Sequence, residues 1–280
     1  MPYLRPTACD EALRHLAQPG LVVLAGGTDH FPARVGRPAA GAVLDITAID
    51  ALRGIATTDG GWRIGATTSW TAVLETPLPP LFDGLKQAAR EVGGVQIQNA
   101  GTVAGNLCNA SPAADGVPPL LALDARVELS STAGERTLAL AEFIEAPRRT
   151  ARRDDELLTA IIVPRPPHTA ASRFLKLGAR RYLVISIAMV SAVIEHEAGV
   201  VRAARVAVGA CSPVAQRLPA LEAALVGAPF ADGLGALTRA EHLHPLSPIE
   251  DVRGDADYRR DSALVLVRRC LDELAQGGTA

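Results

Sequence analysis

Short apolar runs broken by glycine and proline set the pattern of the first fifty residues. Thr7 stands before Ala8, Ala12, Leu13 and Leu16 with Asp10 three residues on, which predicts a capping box opening a short amphipathic helix that Pro19-Gly20 stops. The four-residue run Leu21–Leu24 predicts a buried strand that breaks into the glycine turn Ala25-Gly26-Gly27-Thr28-Asp29. A second strand is predicted over Ala42–Ile46, after a loop carrying Pro32, Gly36 and Pro38, so this stretch reads as a small βαβ-like or αββ unit. Trp62–Ala66 then predicts a strand and Leu85–Val92 a helix. From Gly93 to Asp115 the chain is rich in glycine and small polar residues and has no helical period. Such a segment is expensive to order unless it wraps something or is held by specific hydrogen bonds. Pro118–Leu123 predicts a short helix, and Arg126–Ser131 and Leu157–Val163 predict strands.

Pro164-Arg165-Pro166-Pro167-His168 is the clearest linker and places a domain boundary near residue 168. Beyond it, Arg173–Leu177, Val184–Glu195 and Val200–Gly209 predict an antiparallel meander, and Leu218–Val226, Asp232–Leu243 and Asp257–Ala275 predict helices. In the last helix Leu264, Val267, Leu271 and Leu274 fall at helical spacing, with Arg260, Arg268 and Asp272 free to face water. No internal repeat is visible.

Composition narrows the function. With 280 residues, 48% hydrophobic and 21% charged, the chain can build one large or two modest cores. A balance of 28 basic against 30 acidic residues argues against a nucleic-acid binder working through a basic face. Cys9, Cys108, Cys211 and Cys270 form no short cluster, so no zinc knuckle or iron–sulfur ligand set is encoded. Disulfides stay open from sequence alone; reduced thiols in a cytoplasmic protein fit a chain with this much core. The first residues lack the order of a signal peptide, and the longest apolar run, Tyr182–Ile194, is too short to span a bilayer.

No G-x-S-x-G, H-E-x-x-H, Walker or G-x-G-x-x-G pattern is present. His15, His196 and the pair His242 and His244 read as ordinary helix, turn and loop histidines, and Glu195-His196-Glu197 as an exposed strand end, so neither a metal site nor a catalytic residue is assigned. Two glycine segments remain. The turn Leu24–His30 ends a strand and can expose successive backbone N–H groups to a pyrophosphate, with Thr28 adding a hydroxyl; an ordinary tight turn is the alternative. The segment Gly93–Asp115 offers amides, hydroxyls and one carboxylate through Gly101, Thr102, Gly105, Asn106, Asn109, Ser111 and Asp115. That mix suits a dinucleotide, or else an Ω-like loop held by its own side chains.

AGGTD at Ala25–Asp29 together with IQNAGTVAGNLCNASPAAD at Ile97–Asp115 resembles the FAD-binding (medium) subunit of molybdenum hydroxylases, the xanthine dehydrogenase, carbon monoxide dehydrogenase and hydroxybenzoyl-CoA reductase relatives. DELLTAIIVPRP at Asp155–Pro166, KLGARRYLVISIAMVSAVI at Lys176–Ile194 and SPIEDVRGDADYRRDSALVLVRRCL at Ser247–Leu271 extend the likeness in the same order along nearly the whole chain. The resemblance implies an α+β protein. A two-subdomain PCMH-type (vanillyl-alcohol-oxidase-type) FAD-binding domain over 1–167, with subdomains of about 1–55 and 56–167, would precede a small antiparallel sheet-plus-helices domain over 168–280.

By position, the resemblance implies that Leu24, Ala25, Gly26, Gly27, Thr28, Asp29 and His30 line the FAD diphosphate, and that Gly101, Thr102, Gly105, Asn106, Asn109 and Asp115 hold its other side. Gly94 and Ile97, just upstream, join the implied cofactor-binding residues, Cys108 falls on a position whose neighbours contact the flavin, Leu158 would pack near the ring and Lys176 would stand beside it as a positive charge, with Tyr182 a candidate cover. The chain departs from the family at Ala104, Gln98 and His30, where a paired glycine, an arginine and an apolar residue are commoner. The implied activity is electron transfer: 2Fe–2S clusters and a molybdopterin cofactor on partner subunits deliver electrons, and FAD on this chain passes them to NAD or another acceptor, within a dimer of heterotrimers. A stand-alone flavin oxidoreductase of this fold, and an assembly subunit that has lost FAD, are the rival expectations.

Overall fold

The computed structural model describes residues 3–36 and 41–277; Pro38, in the loop expected before the second strand, lies outside them. The chain opens with β1 (Tyr3–Leu4), α1 (Cys9–Leu16), β2 (Leu21–Leu24) and β3 (Ala42–Asp45), a three-stranded parallel sheet with β3 in the middle. The unit is therefore βαββ, one short strand longer than the sequence pattern indicates. Ala12, Leu13 and Leu16 of α1 bury against Leu44, Ile46, Ile49, Leu52 and Leu157, each leucine contributing roughly 1.5–3 kcal/mol. Thr7 does not cap α1; Ala8 holds the cap position and supplies no side-chain bond.

The middle of the chain gives β4 (Ile55–Thr58), β5 (Gly61–Gly65), α2 (Trp70–Glu75), α3 (Asp83–Glu91), α4 (Val95–Ala100), α5 (Val103–Asn109), α6 (Val117–Ala122), β6 (Arg126–Ser131), β7 (Gly134–Ala139), α7 (Leu140–Phe143), β8 (Ile144–Ala146), β9 (Arg149–Thr150) and β10 (Leu157–Pro164). Strands pair antiparallel in the order β4-β5-β10-β6-β7. Gly93–Asp115, expected to be irregular, carries α4 and α5. Each is only 6 or 7 residues long, too short to print a helical period on the sequence.

After Pro164 come β11 (Thr169–Leu177), β12 (Ala188–Glu197), β13 (Val200–Gly209), β14 (Gln216–Arg217), α8 (Pro219–Leu225) and α9 (Ala256–Gly277), the four strands forming one antiparallel sheet in chain order. Asp232–Leu243, expected as one helix, is two 3₁₀ turns, Leu234–Leu237 and Ala240–Leu243. Side chains alternate along β12: Ala188, Val190, Ala192 and Ile194 join the core under α8 and α9, whereas Val193 joins the core of the preceding unit. A sheet covered on both faces explains the nearly unbroken apolar run there. Glu195, expected at an exposed strand end, is buried and paired with Arg205 at 2.6 Å.

All four cysteines are free. Burial pushes the Cys211 and Cys270 thiols up to about 11 and about 12. Among the described residues, no helix is long and apolar enough to cross a membrane, and no group of three His, Cys, Asp or Glu could hold a metal ion.

Candidate functional site

A cavity of about 700 Å³ opens where the parallel sheet faces α4 and α5. Its first wall is the turn after β2. Gly27 takes a left-handed backbone (φ +71°), and a methyl group there would meet the Phe31 ring at 2.6 Å. Gly26 packs so closely on the Ala100 carbonyl that an added Cβ would overlap it, which brings the turn against the α4–α5 junction. A Cβ at Gly101 would stand 3.4 Å from Thr28 Oγ1. Among the described residues, none of the five amides from Gly26 to His30 donates a hydrogen bond, although Phe31 N donates to Gly27 O and Ala33 N to Asp29 O. Five N–H groups in one turn are thus left free to donate to a ligand.

The opposite wall is α5 and its entry. Thr102 caps the helix, its Oγ1 accepting from Gly105 N at 3.0 Å. Gly101 N donates to Ile97 O, Val103 N to Thr68 O, and Gly116 N to Asn106 Oδ1. The Gly101 and Gly105 amides, expected to face phosphates, are thus satisfied within the protein. What this wall offers the cavity is the Asn106 amide group, the Asn109 side chain and a close approach over Gly101 and Gly105. Asn109 is steadied by Arg148, which donates to its side-chain and backbone oxygens. Trp70, fully buried, floors the cavity.

Leu24 through His30, Ile97, Gly101, Thr102, Gly105, Asn106, Cys108, Asn109 and Leu158 all line this one cavity. Gly94, Asp115 and Lys176 do not. Gly94 packs towards Leu183. Lys176 Nζ pairs with Asp115 Oδ2 at 2.7 Å, and Ser186 donates to Asp115 Oδ1 at 2.6 Å, in a cluster closed from solvent. Burial pushes the Asp115 carboxyl up, with Lys176 and Ser186 opposing. Tyr182 is exposed, beneath the Arg181 guanidinium at 5.2 Å from its ring centre.

Cys108 is exposed on the wall, yet the enclosing protein raises its thiol to about 11, so it stands as a neutral thiol at pH 7. Sequence reasoning missed Arg34, Val92, Trp70, Arg152 and Glu156, which also line the cavity. Desolvation works against ionising Glu156, but Arg136, at 2.6 and 2.8 Å, and the Arg153 amide hold its carboxyl below the usual range. No local pattern in the sequence marked them.

Residues 1–166 match the family described as "FAD binding domain in molybdopterin dehydrogenase", and residues 173–274 match "CO dehydrogenase flavoprotein C-terminal domain". The nicotinate dehydrogenase FAD-subunit of Eubacterium barkeri is 36% identical over 216 residues, covering 74% of this chain and 72% of its own. Caffeine dehydrogenase subunit beta of Pseudomonas sp. (strain CBB1) is 30% identical over 280 residues, covering 98% of this chain and 94% of its own. A carbon monoxide dehydrogenase structure from Hydrogenophaga pseudoflava, lacking the Mo-pyranopterin moiety, superposes with a TM-score of 0.88 at 29% identity, over 99% of this chain and 97% of that one. The chain belongs to the family of FAD-binding subunits of molybdopterin dehydrogenases.

Proposed function

We propose that this family member holds FAD across the cavity described above, receives electrons from 2Fe–2S clusters on a partner subunit and passes them to NAD or another acceptor. The observation that carries the reading is the meeting of five unpaired amides with a glycine-floored helical wall in one cavity of dinucleotide size. The residues present fit the cofactor. Gly26 and Gly27 let the turn close on Ala100 and Phe31, and the amides from Gly26 to His30 would donate to the diphosphate oxygens, with the Thr28 hydroxyl beside them.

Gly101, Thr102, Gly105, Asn106 and Asn109 would close the other side, with Ile97, Cys108 and Leu158 against the flavin half. Asp115, Lys176 and Gly94, which do not line the cavity, would stand behind that half. Lys176, buried and held by Asp115, would set the charge near the ring. Bound FAD supplies the chemistry of accepting electrons singly and releasing them in pairs. This chain would bind and orient it and needs no side-chain acid or base of its own.

The reading divides the chain into 1–167 and 168–280 and places it in a cytoplasmic complex, a dimer of heterotrimers with an iron–sulfur subunit and a molybdopterin subunit. Relatives named as subunits or chains of dehydrogenases support the assembly. The test is the absorption spectrum and native mass of the full chain purified from its own cell extract. A flavin band in a complex much larger than the chain is expected. A chain that neither carries a flavin nor takes up added FAD would overturn the reading.

A further inference from the structure

We infer that Arg34, aimed by His30, is a cationic anchor for the diphosphate of the dinucleotide bound in this cavity; the inference rests on the FAD reading above. Both residues line the cavity, and both are partly buried. The backbone turns helically after the glycine nest, through the 3₁₀ turn Pro32–Arg34, and this lays the Arg34 side chain back over His30. Arg34 Nη1 donates to His30 Nδ1 at 2.8 Å and to His30 O at 3.2 Å.

An arginine keeps its protons, so Nδ1 must accept and the imidazole carries its hydrogen on Nε2. Burial first, and the neighbouring guanidinium second, hold His30 below its ordinary range, which keeps the ring neutral and the acceptor in place. The histidine thereby fixes one edge of the guanidinium without neutralising it.

The charge itself is unanswered. Among the described residues no carboxylate pairs with Arg34, and Asp29 on the same wall makes no ion pair with it. The other cavity arginine differs. Arg152 Nη1 donates to the backbone oxygens of Arg153, Asp154 and Glu156 and so serves the protein's own loop. The cavity's carboxylate Glu156 is likewise taken, by Arg136. A partly desolvated cation without a counter-ion is unfavourable on its own. Beside five unpaired amides it would complete a site for a doubly charged anion, because guanidinium and amide N–H groups lining one cavity both donate to oxygen acceptors.

The experiment is a flavin-fluorescence titration of FAD into the deflavinated full chain at low and high salt, with inorganic pyrophosphate as competitor. Arg34→Met is expected to raise the Kd for FAD about tenfold, to flatten its salt dependence and to weaken pyrophosphate competition. His30→Leu, which frees the guanidinium, is expected to raise Kd about threefold and to keep the salt dependence. Arg34→Lys retains the charge but not the fork and is expected to lose only two- to threefold, on the order of what a point charge forgoes against a planar donor. Affinity of Arg34→Met within twofold of wild type, with the same salt dependence, would overturn the assignment. Should that variant fail to fold, the wild-type and Arg34→Lys pair decides, equal affinity counting against the anchor. A wild-type chain that binds no FAD contradicts the FAD reading itself, whereas wild-type binding that ignores Arg34 contradicts only this inference.

Discussion

The two walls of the cavity are built on opposite terms. The turn from Gly26 to His30 leaves its amides unpaired and removes side chains where the chain must approach α4 and α5. The α5 wall is finished before any ligand arrives: Thr102 caps it, Thr68 takes Val103 N, and Asn106 holds Gly116 N. A turn whose donors find partners only in a ligand contributes to binding. A wall whose donors are already paired contributes to stability and keeps the ligand's second surface fixed. Substitutions on the turn should therefore cost affinity, and those on or behind the helical wall should cost stability.

The largest effect is expected behind the helical wall, at Lys176→Met. It strands the buried Asp115 without its counter-charge, and a loss of about 3–5 kcal/mol in urea unfolding is expected. The loss should shrink as pH falls, because a carboxyl already raised by burial and now deprived of Lys176 takes up a proton instead. Next comes Gly26→Ala, whose Cβ meets the Ala100 carbonyl. The turn must then shift off the α4–α5 junction, so FAD affinity should fall about 100-fold, roughly 2.7 kcal/mol, and the unfolding midpoint should fall as well. If stability fell more than affinity at Gly26, the contrast between the walls would be broken.

Thr102→Ala removes the cap and should cost ~1 kcal/mol in the same urea experiment. The smallest effect belongs to Cys108. Cys108→Ser should shift stability by no more than about 0.5 kcal/mol. The wild-type thiol should alkylate slowly at pH 8, its rate still climbing beyond pH 9 towards its own value of about 11, read by peptide mass.

Strands with strong alternation or full burial could be read from the residues: Leu21–Leu24, Arg126–Ser131 and Val200–Gly209 have the bounds that their patterns indicate. The α4–α5 segment could not, because two helices of two turns or fewer are held by Trp70, Thr68 and the cap at Thr102 rather than by a periodic apolar face. The glycine turn was legible as a place, from Gly26-Gly27 at the end of a strand, but its contact with Ala100 is a tertiary fact. Asp115 stands in a run of ligand-like residues, yet its side chain turns to Lys176 and Ser186, residues of another sheet and its neighbouring loop that no local pattern connects to it. Glu195 was misread for a related reason: its partner Arg205 lies across a strand pair.

The most direct test is amide hydrogen exchange on the full chain, deflavinated and then reloaded with FAD. Exchange at Gly26 to His30 should slow on loading by far more than at Gly101, Val103 and Gly105, whose amides are paired in either state. Unchanged exchange across Gly26–His30 on saturation with FAD would contradict the account.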